Sequence, residues 1–420
     1  MSKRVLLLVG VILSVLALTL CAQPPQKPKE IEISTGVLVD LSGPLTTYGE
    51  DIRLCVEIAA DKINKYFEEK GKPYRMKLYV EDTRVDPKMA LEKVQYLYGK
   101  GIRLIIGPMG SGEVKNIKDF ATANKIIVIS PSSTAPPKYI GVTKPEEKKY
   151  IFRFVATDAF QTKAIAKLAK DLGIKAVVIT YIGNAWGKGL NEYGRLEFEK
   201  MNITVIEDSI EYPDPPPADF SAYIATLESK VNELLKTYNL DEIAVVAFSY
   251  EEVATMLSQV KEDSILLNVT WIGCDGTAKS SKVIEDVPEK AERVGLYSTV
   301  AEMKGEAYEE LNKTYYERVK QEPKAYGLNA YDAAWVIALS FAEVYDKLGK
   351  YDPDEMAKTI PIVSEKYSKG EYGVKPVSGD IVLDEYNDRI VPEYKIYKVE
   401  NNTWVEVGTW YYETNTISWR

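Results

Sequence analysis

The sequence IEISTGVLVD occupies residues 31–40 and is followed by LSGPLTTYG at residues 41–49. The first segment is an apolar run with the character of a buried β-strand. Residues 51–70 are predicted to form a helix, because apolar side chains recur on one face, at Ile52, Val56, Ala59, Ile63 and Phe67. A strand that leads through a Gly-Pro loop into an amphipathic helix is thus the first unit of the fold.

The same alternation of strand and helix continues along the chain. Further strands are predicted at residues 75–82, 102–107 and 126–130, with helices at 87–101 and 111–124. A second series follows, with helices at 161–172, 188–200, 220–238 and 251–261 and strands at 176–181, 203–211, 243–248 and 269–272. Apolar strands separated by helices indicate parallel sheets covered on both faces. We therefore predict an α/β fold with two doubly wound sheets.

The last part of the chain has a different pattern. Two long helices are predicted at residues 304–321 and 328–348, and no helical period follows them. Residues 380–419 are predicted to form short strands, with turns at Tyr386-Asn387-Asp388 and Glu400-Asn401-Asn402.

The amino terminus indicates export from the cytoplasm. Lys3 and Arg4 precede an apolar run at residues 5–20, which is short for a membrane span and has the charged front of a secretory signal. Residues 1–21 are therefore predicted to be a signal peptide, and 22–30 a flexible tether; an uncleaved anchor helix is the alternative. Leu18-Thr19-Leu20-Cys21 resembles a lipoprotein box, although a small residue is usual before the cysteine. This predicts lipidation of Cys21 and a location on the outer face of the cell membrane.

Composition excludes several classes of function. The formal net charge of -9 leaves no basic surface for nucleic acid. The chain contains no histidine, which removes the commonest metal ligand and the usual general base. We therefore predict no catalytic residues, no metal and no cofactor, and an exported enzyme is the disfavoured alternative. Export also raises the hypothesis of glycosylation at four Asn-x-Thr triplets, which begin at Asn202, Asn268, Asn312 and Asn401.

Four motifs follow predicted strands in a characteristic order: 40-DLSGP-44, 106-IGPMGS-111, 129-ISPSSTAP-136 and 152-FRF-154. Together they resemble the extracytoplasmic solute-binding proteins of branched-chain amino acid ABC transporters. The resemblance implies a type I periplasmic-binding-protein fold with two lobes joined by three crossings, near residues 152–154, 299–303 and 378–381. Residues 31–152 and 302–378 would form lobe 1, and residues 153–301 and 379–420 would form lobe 2. Open parallel sheets independently favour a ligand at the carboxyl ends of their strands.

The same resemblance implies the polar ligand contacts. Ser111, at a helix start after a strand, and Thr134 would bind a carboxylate, while the carbonyl of Ser133 and the hydroxyl of Thr134 would face an ammonium group. Asp275, directly after a predicted strand, would pair with that ammonium. Helix caps and turns are the alternative explanation for all of these residue types.

Aromatic side chains are predicted to complete the site at Tyr48, Trp186, Tyr250 and Tyr326. Trp186 is the strongest of these candidates, because it lies in a glycine-flanked loop. The predicted function is capture of an amino acid, branched-chain or similarly apolar, for delivery to an ABC permease. The alternative is a ligand-sensing ectodomain of the same fold.

Overall fold

The computed structural model describes residues 30–391 and 393–420. The predicted signal peptide, Cys21 and the tether as far as residue 29 lie outside the described residues.

The amino-terminal half of the fold is built on a five-stranded parallel sheet in the order β2-β1-β3-β4-β5. Its strands are β1 Ile31–Val39, β2 Tyr74–Asp82, β3 Leu104–Ile106, β4 Ile127–Ser130 and β5 Ile151–Arg153. The helices between them are α1 Thr46–Glu69, α2 Pro87–Gly99 and α3 Ser111–Ala123. The predicted α/β class with parallel sheets is confirmed.

A second sheet of nine strands has the order β14-β13-β12-β11-β10-β9-β6-β7, with β8 also paired to β6. Its strands are β6 Ala176–Ile182, β7 Thr204–Val205, β8 Ile210–Tyr212, β9 Ile243–Phe248, β10 Thr270–Ile272, β11 Tyr297–Val300, β12 Glu393–Glu400, β13 Thr403–Tyr411 and β14 Thr416–Trp419. Its helices are α4 Asp158–Asp171, α5 Ala185–Lys200, α6 Ser221–Leu234, α7 Val253–Gln259, α8 Ser281–Asp286 and α9 Pro288–Arg293. Strands β6 to β11 run parallel, and β12 to β14 are added antiparallel.

Three more helices return to the first sheet: α10 Tyr308–Val319, α11 Ala325–Leu348 and α12 Pro353–Ser368. Helix α11 is buried along most of its length, because it packs between α1 and α12. We call the first sheet with α1–α3 and α10–α12 the first lobe, and the second sheet with α4–α9 the second lobe.

The prediction omits helices α8, α9 and α12 and strands β5 and β11, and it merges β7 and β8 into one strand. Helix α12 was not predicted, although its buried positions Met356, Ile360, Val363 and Tyr367 follow a helical period. Pro361 lies inside it and obscures that period, because proline usually ends a helix. The strand predicted at residues 203–211 is two short strands, β7 and β8, separated by a turn in which Asp208 has φ 56°.

The turns predicted in the carboxyl-terminal part are present. Asn401 and Asn402 have φ 51° and 58° and join β12 to β13, which is the backbone of a tight hairpin turn. Before β12 the chain still contacts the first lobe, since Asp388 forms a parallel bridge with Arg153 at the end of β5. The chain therefore enters the second sheet later than the predicted boundary at residue 379.

A buried ion cluster lies where the chain leaves the first sheet. Arg153 donates from Nε to Asp388 at 2.6 Å and from Nη1 to the carbonyl of Ala135 at 2.6 Å. Lys148 also donates to Asp388, and all three charged side chains are almost inaccessible to solvent. We call Lys148, Arg153 and Asp388 the hinge cluster.

Candidate functional site in the cleft between the lobes

The loop after β1 places Tyr48 at the cleft. The Asp40 carboxylate accepts hydrogen bonds from the main-chain N–H groups of Ser42, at 3.1 Å, and Leu45, at 2.6 Å, which turns the chain into α1. A Cβ atom at Gly49 would lie 1.7 Å from the carbonyl oxygen of Asp40. Only glycine therefore lets α1 start this close to the strand.

The two lobes touch each other through this loop. The hydroxyl of Tyr48 donates to the carbonyl oxygens of Asp275, at 3.3 Å, and of Ala278 in the second lobe. Thr47 Oγ1 donates to Glu251 Oε2 of the second lobe at 3.2 Å. These contacts show that the structure is a closed form of the molecule.

A group of small polar residues lies at the carboxyl ends of β3 and β4. Ser111 begins α3, and its Oγ accepts from Ser133 Oγ and from the main-chain N–H of Ala135, both at 3.1 Å. Thr134 Oγ1 is buried and has no hydrogen-bond partner among the described residues. The amino terminus of α3 and the 132–134 loop therefore offer hydrogen-bonding groups to an anion on the first-lobe side of the cleft.

Asp275 follows β10 and faces these residues from the second lobe. Tyr326, at the start of α11, donates its hydroxyl to Asp275 Oδ2. The other oxygen, Oδ1, is buried without a partner in the described part of the chain. Burial raises the pKa of Asp275 to about 6, although the hydrogen bond from Tyr326 acts in the opposite direction.

Asp158 is a second buried acid that sequence reasoning missed; it lies beside Thr134, behind the residues that line the cavity. It is fully buried at the first position of α4, and neither carboxylate oxygen has a hydrogen-bond partner in residues 30–391 and 393–420. Its main-chain N–H donates to the carbonyl of Thr134 at 2.8 Å, which fixes it beside the polar loop. Burial, and next the charge of Asp275, raises the pKa of Asp158 well above its usual range.

Two aromatic rings form the apolar wall of the second lobe. Trp186 stacks on Tyr250, with ring centroids 4.5 Å apart and planes 17° apart. Asn184 holds both rings: its Oδ1 caps α5 by accepting from the N–H of Trp186, at 3.1 Å, and its Nδ2 donates to the Tyr250 hydroxyl, at 3.1 Å. A Cβ atom at Gly276 would lie 2.8 Å from the indole, so glycine is needed for this close approach.

The cavity enclosed by these elements is small. Its volume is about 30 Å³, which is little more than the space of one water molecule. A ligand therefore reaches the site only when the lobes separate. The lining residues are Leu45, Tyr48, Met109, Gly110, Ser111, Ser132, Trp186, Tyr250, Asp275, Gly276 and Tyr326.

The structure brings the eight predicted ligand-binding residues to one cleft. Six of them line the cavity: Tyr48, Ser111, Trp186, Tyr250, Asp275 and Tyr326. Ser133 and Thr134 are buried in the loop behind Ser111. Asp158 had no distinctive signal, because an Asp in the first turn of a helix is common and only its burial makes it unusual.

Within the described residues, no group of three His, Cys, Asp or Glu side chains has the arrangement needed to hold a metal ion. Among the same residues, no helix has the length and apolar character of a membrane span.

Comparison with known proteins agrees with this architecture. The family model described as receptor family ligand binding region matches residues 52–402. An uncharacterised protein of Methanocaldococcus jannaschii is 50% identical over 393 residues, which is 93% of each chain.

Two further relatives have names that state a ligand. The Leu/Ile/Val-binding protein BraC3 of Rhizobium johnstonii is 28% identical over 59% of this chain and 63% of its own length. The crystal structure of a leucine-binding protein from Thermotoga maritima superposes with a TM-score of 0.70, at 21% identity, over 90% of this chain and 98% of that one. The type I periplasmic-binding-protein fold predicted from the motifs is confirmed.

Proposed function

Since the chain belongs to the receptor ligand-binding-region family, we propose that it is an extracytoplasmic solute-binding protein that captures an amino acid between its lobes. The amino acid is branched-chain or similarly apolar, and the protein delivers it to an ABC permease. One observation carries this proposal. In the closed structure, Ser111 and the small hydroxyl residues of the 132–134 loop lie in the first lobe, and two buried acids whose oxygens lack partners among the described residues lie in the second.

The two acids call for a cation. A buried carboxylate is costly unless it is paired, and none of the described Lys or Arg side chains lines the cavity. The ammonium group of an amino acid would supply the missing charge between Asp158 and Asp275. Its carboxylate would then lie at Ser111 and Thr134, so that one zwitterion contacts both lobes.

The remaining lining favours an apolar side chain. Leu45 and Met109 of the first lobe and the Trp186–Tyr250 stack of the second are apolar or aromatic residues of the lining. Such a wall stabilises a ligand by burying apolar area rather than by hydrogen bonds. The names of two relatives, which include leucine, support the same class of ligand.

Ligand capture follows from lobe closure. A ligand that contacts both lobes binds the closed form more tightly than the open one, and therefore shifts the population toward closure. A permease that recognises the closed form would then receive mainly loaded protein.

Calorimetric titration with the common amino acids tests the proposal. We expect leucine, isoleucine or valine to bind. The keto acid of leucine, which lacks the ammonium, and isoamylamine, which lacks the carboxylate, should each bind at least about tenfold more weakly, a difference of about 1.4 kcal/mol. Failure of all amino acids to bind, or preference for the keto acid, would contradict the proposal.

We also propose that a lipid on Cys21 tethers the protein to the outer face of the membrane. The lipoprotein-box resemblance supports this assignment. A Cys21→Ser variant should be released into the medium, whereas unchanged membrane retention would favour an uncleaved amino-terminal helix.

A further inference from the structure

Three of the four Asn-x-Thr triplets lie along one edge of the second sheet. Thr204 begins β7 and pairs with Ala176, the first residue of β6. Thr270 begins β10 and pairs with Ala244, near the start of β9. These positions are the amino ends of parallel strands, whereas the cleft lies at the carboxyl ends.

The third triplet reaches the same edge from an antiparallel strand. Thr403 begins β13 and pairs with Glu400 at the end of β12. The main-chain N–H of Val399 donates to the carbonyl of Leu296, just before β11 begins, so the β12–β13 turn also lies at the amino end of β11. Triplets at β7, β10 and β13 therefore spread across the sheet at the pole of the second lobe farthest from the cleft.

All three asparagines are exposed. Asn202 and Asn401 lie in turns, with φ 58° and 51°, and their side-chain amides make no hydrogen bond to other described residues. Asn268 Oδ1 accepts from Arg293 at 3.3 Å, and its Nδ2 atom makes no hydrogen bond in the described part of the chain. Each of these asparagines is thus exposed, and its Nδ2 atom, the atom to which an N-linked glycan attaches, makes no hydrogen bond to other described residues.

The fourth triplet lies in a helix of the other lobe. Asn312 lies inside α10 in the first lobe, is only partly exposed, and has a buried Oδ1 atom. Its partner Thr314 donates its hydroxyl to the helix carbonyl of Glu310 at 3.2 Å. A helical triplet cannot present its amide and hydroxyl to an enzyme without unfolding the helix, so Asn312 is an internal control.

From this placement we propose that Asn202, Asn268 and Asn401 carry N-linked glycans, which cover the pole of the second lobe. Nδ2 of each asparagine forms a bond to C1 of the first sugar, and the C1–O bond to the phosphate of a lipid-linked oligosaccharide donor breaks. The amide nitrogen loses one proton, and the lipid-linked phosphate leaves with the electron pair of the C1–O bond. Glycans on an exported protein are bulky and solubilising, and at this pole they leave the cleft unobstructed.

Peptide mass spectrometry on the protein purified from the cells that produce it tests the proposal. Trypsin separates the four triplets, because Lys and Arg residues bound peptides 201–230, 262–279, 305–313 and 399–420. We expect hexose- or hexosamine-type mass increments on at least two of the three pole peptides, and an unmodified 305–313 peptide. Bare asparagine at two or more pole sites, or a glycan on Asn312, overturns the proposal.

The Asn401 turn also offers matched variants. Asn401→Gln and Thr403→Ala should each remove the increment from peptide 399–420, since each breaks the triplet. Asn402→Gly keeps the triplet and suits the left-handed backbone at φ 58°, so its increment should persist. Loss of the increment in Asn402→Gly, or its retention in Thr403→Ala, would contradict N-glycosylation at this site.

Discussion

Asp388 in the hinge cluster and Asp275 in the cleft are both buried, yet within the described part of the chain Asp388 pairs with two cations and Asp275 with none. Burial opposes ionisation of Asp388, but the charges of Arg153 and Lys148 outweigh it and lower its pKa. In the cleft, burial raises the pKa of both Asp275 and Asp158. The fold therefore completes its ion pairs where the chain passes between lobes and leaves them incomplete where a ligand would bind.

The largest effect is expected on the free energy of unfolding when the hinge cluster is broken. In Asp388→Asn, the guanidinium of Arg153 and the ammonium of Lys148 would stay buried without a counter-charge. Removing one member of a buried ion pair costs about 3–5 kcal/mol, and denaturant unfolding at neutral pH should show that loss. The control is Asp119→Asn, because the Asp119 side chain is 90% exposed. A loss below about 1 kcal/mol would contradict the assigned role, since the net value of an ordinary hydrogen bond is of that size.

The corresponding change in the cleft should spare the fold and remove binding. Asp275→Asn should weaken amino-acid binding at least about thirtyfold, since losing one partner of a buried charge pair costs about 2–5 kcal/mol. The stability of the unliganded protein should not fall, because the variant removes a carboxylate that has no cation. Titration calorimetry and unfolding of the same samples separate the two effects.

A deaminated ligand provides the control for this experiment. The keto acid should bind the wild type poorly and lose little more in Asp275→Asn, since it has no ammonium to pair. Asp158→Asn should behave like Asp275→Asn if both acids face the same group. Near-native affinity in Asp275→Asn would contradict the assignment of an amino acid as the ligand. The assignment of the fold does not depend on this result.

Much of the fold was predictable, because strands buried on both faces are apolar over short, well-bounded runs. Residues 243–248 were predicted with the bounds that β9 has. Prediction failed where local sequence and tertiary packing disagree. Helix α12 contains Pro361 but is stabilised by packing on α11, and the caps at Asp352 and Pro353 were the available signal.

The site was predictable to the extent that topology determines it. Ser111 and Asp275 come directly after strands, and the carboxyl ends of parallel strands meet at one edge of a sheet. Asp158 comes after a crossing and begins a helix, where an acid is ordinary. Only the three-dimensional structure shows that Asp158 is fully buried and close enough to Asp275 for the charge of Asp275 to raise its pKa, which is packing that the local sequence does not encode.

The two regions should also respond oppositely to pH. Asp388 has a lowered pKa, so its stabilising contribution is present at neutral pH and is lost as the pH falls through its folded value. Asp275 has a pKa raised to about 6, so acidification protonates it and removes a destabilising charge. Amino-acid affinity should fall about tenfold from pH 7 to pH 5, because the ammonium must displace that proton.

Titrations at pH 5, 6 and 7 measure this dependence. Asp275→Asn should have a flatter profile, because the titrating group is absent. An affinity independent of pH in the wild type would mean that Asp275 is already ionised in the empty cleft.

The smallest expected effect is on the fluorescence of Trp186, whose surroundings should change when the lobes open, whereas those of the hinge cluster should not. Trp186 is 3% exposed in the closed form and is the only one of six tryptophans that lines the cavity. Lobe separation should expose its ring face, and ligand-driven closure should cover it again. Intrinsic fluorescence should therefore change when leucine is added.

Trp186→Phe should largely abolish that change and weaken binding only about two- to tenfold, because an aromatic contact contributes about 0.5–1.5 kcal/mol beyond its area. Trp419→Phe is the matched control, since Trp419 is 43% exposed on the edge strand β14 and lies outside the cavity lining. That variant should keep the full signal. A fluorescence change that survives in Trp186→Phe would come from another tryptophan. The surroundings of Trp186 would then not change when the lobes close, as is expected for the hinge cluster.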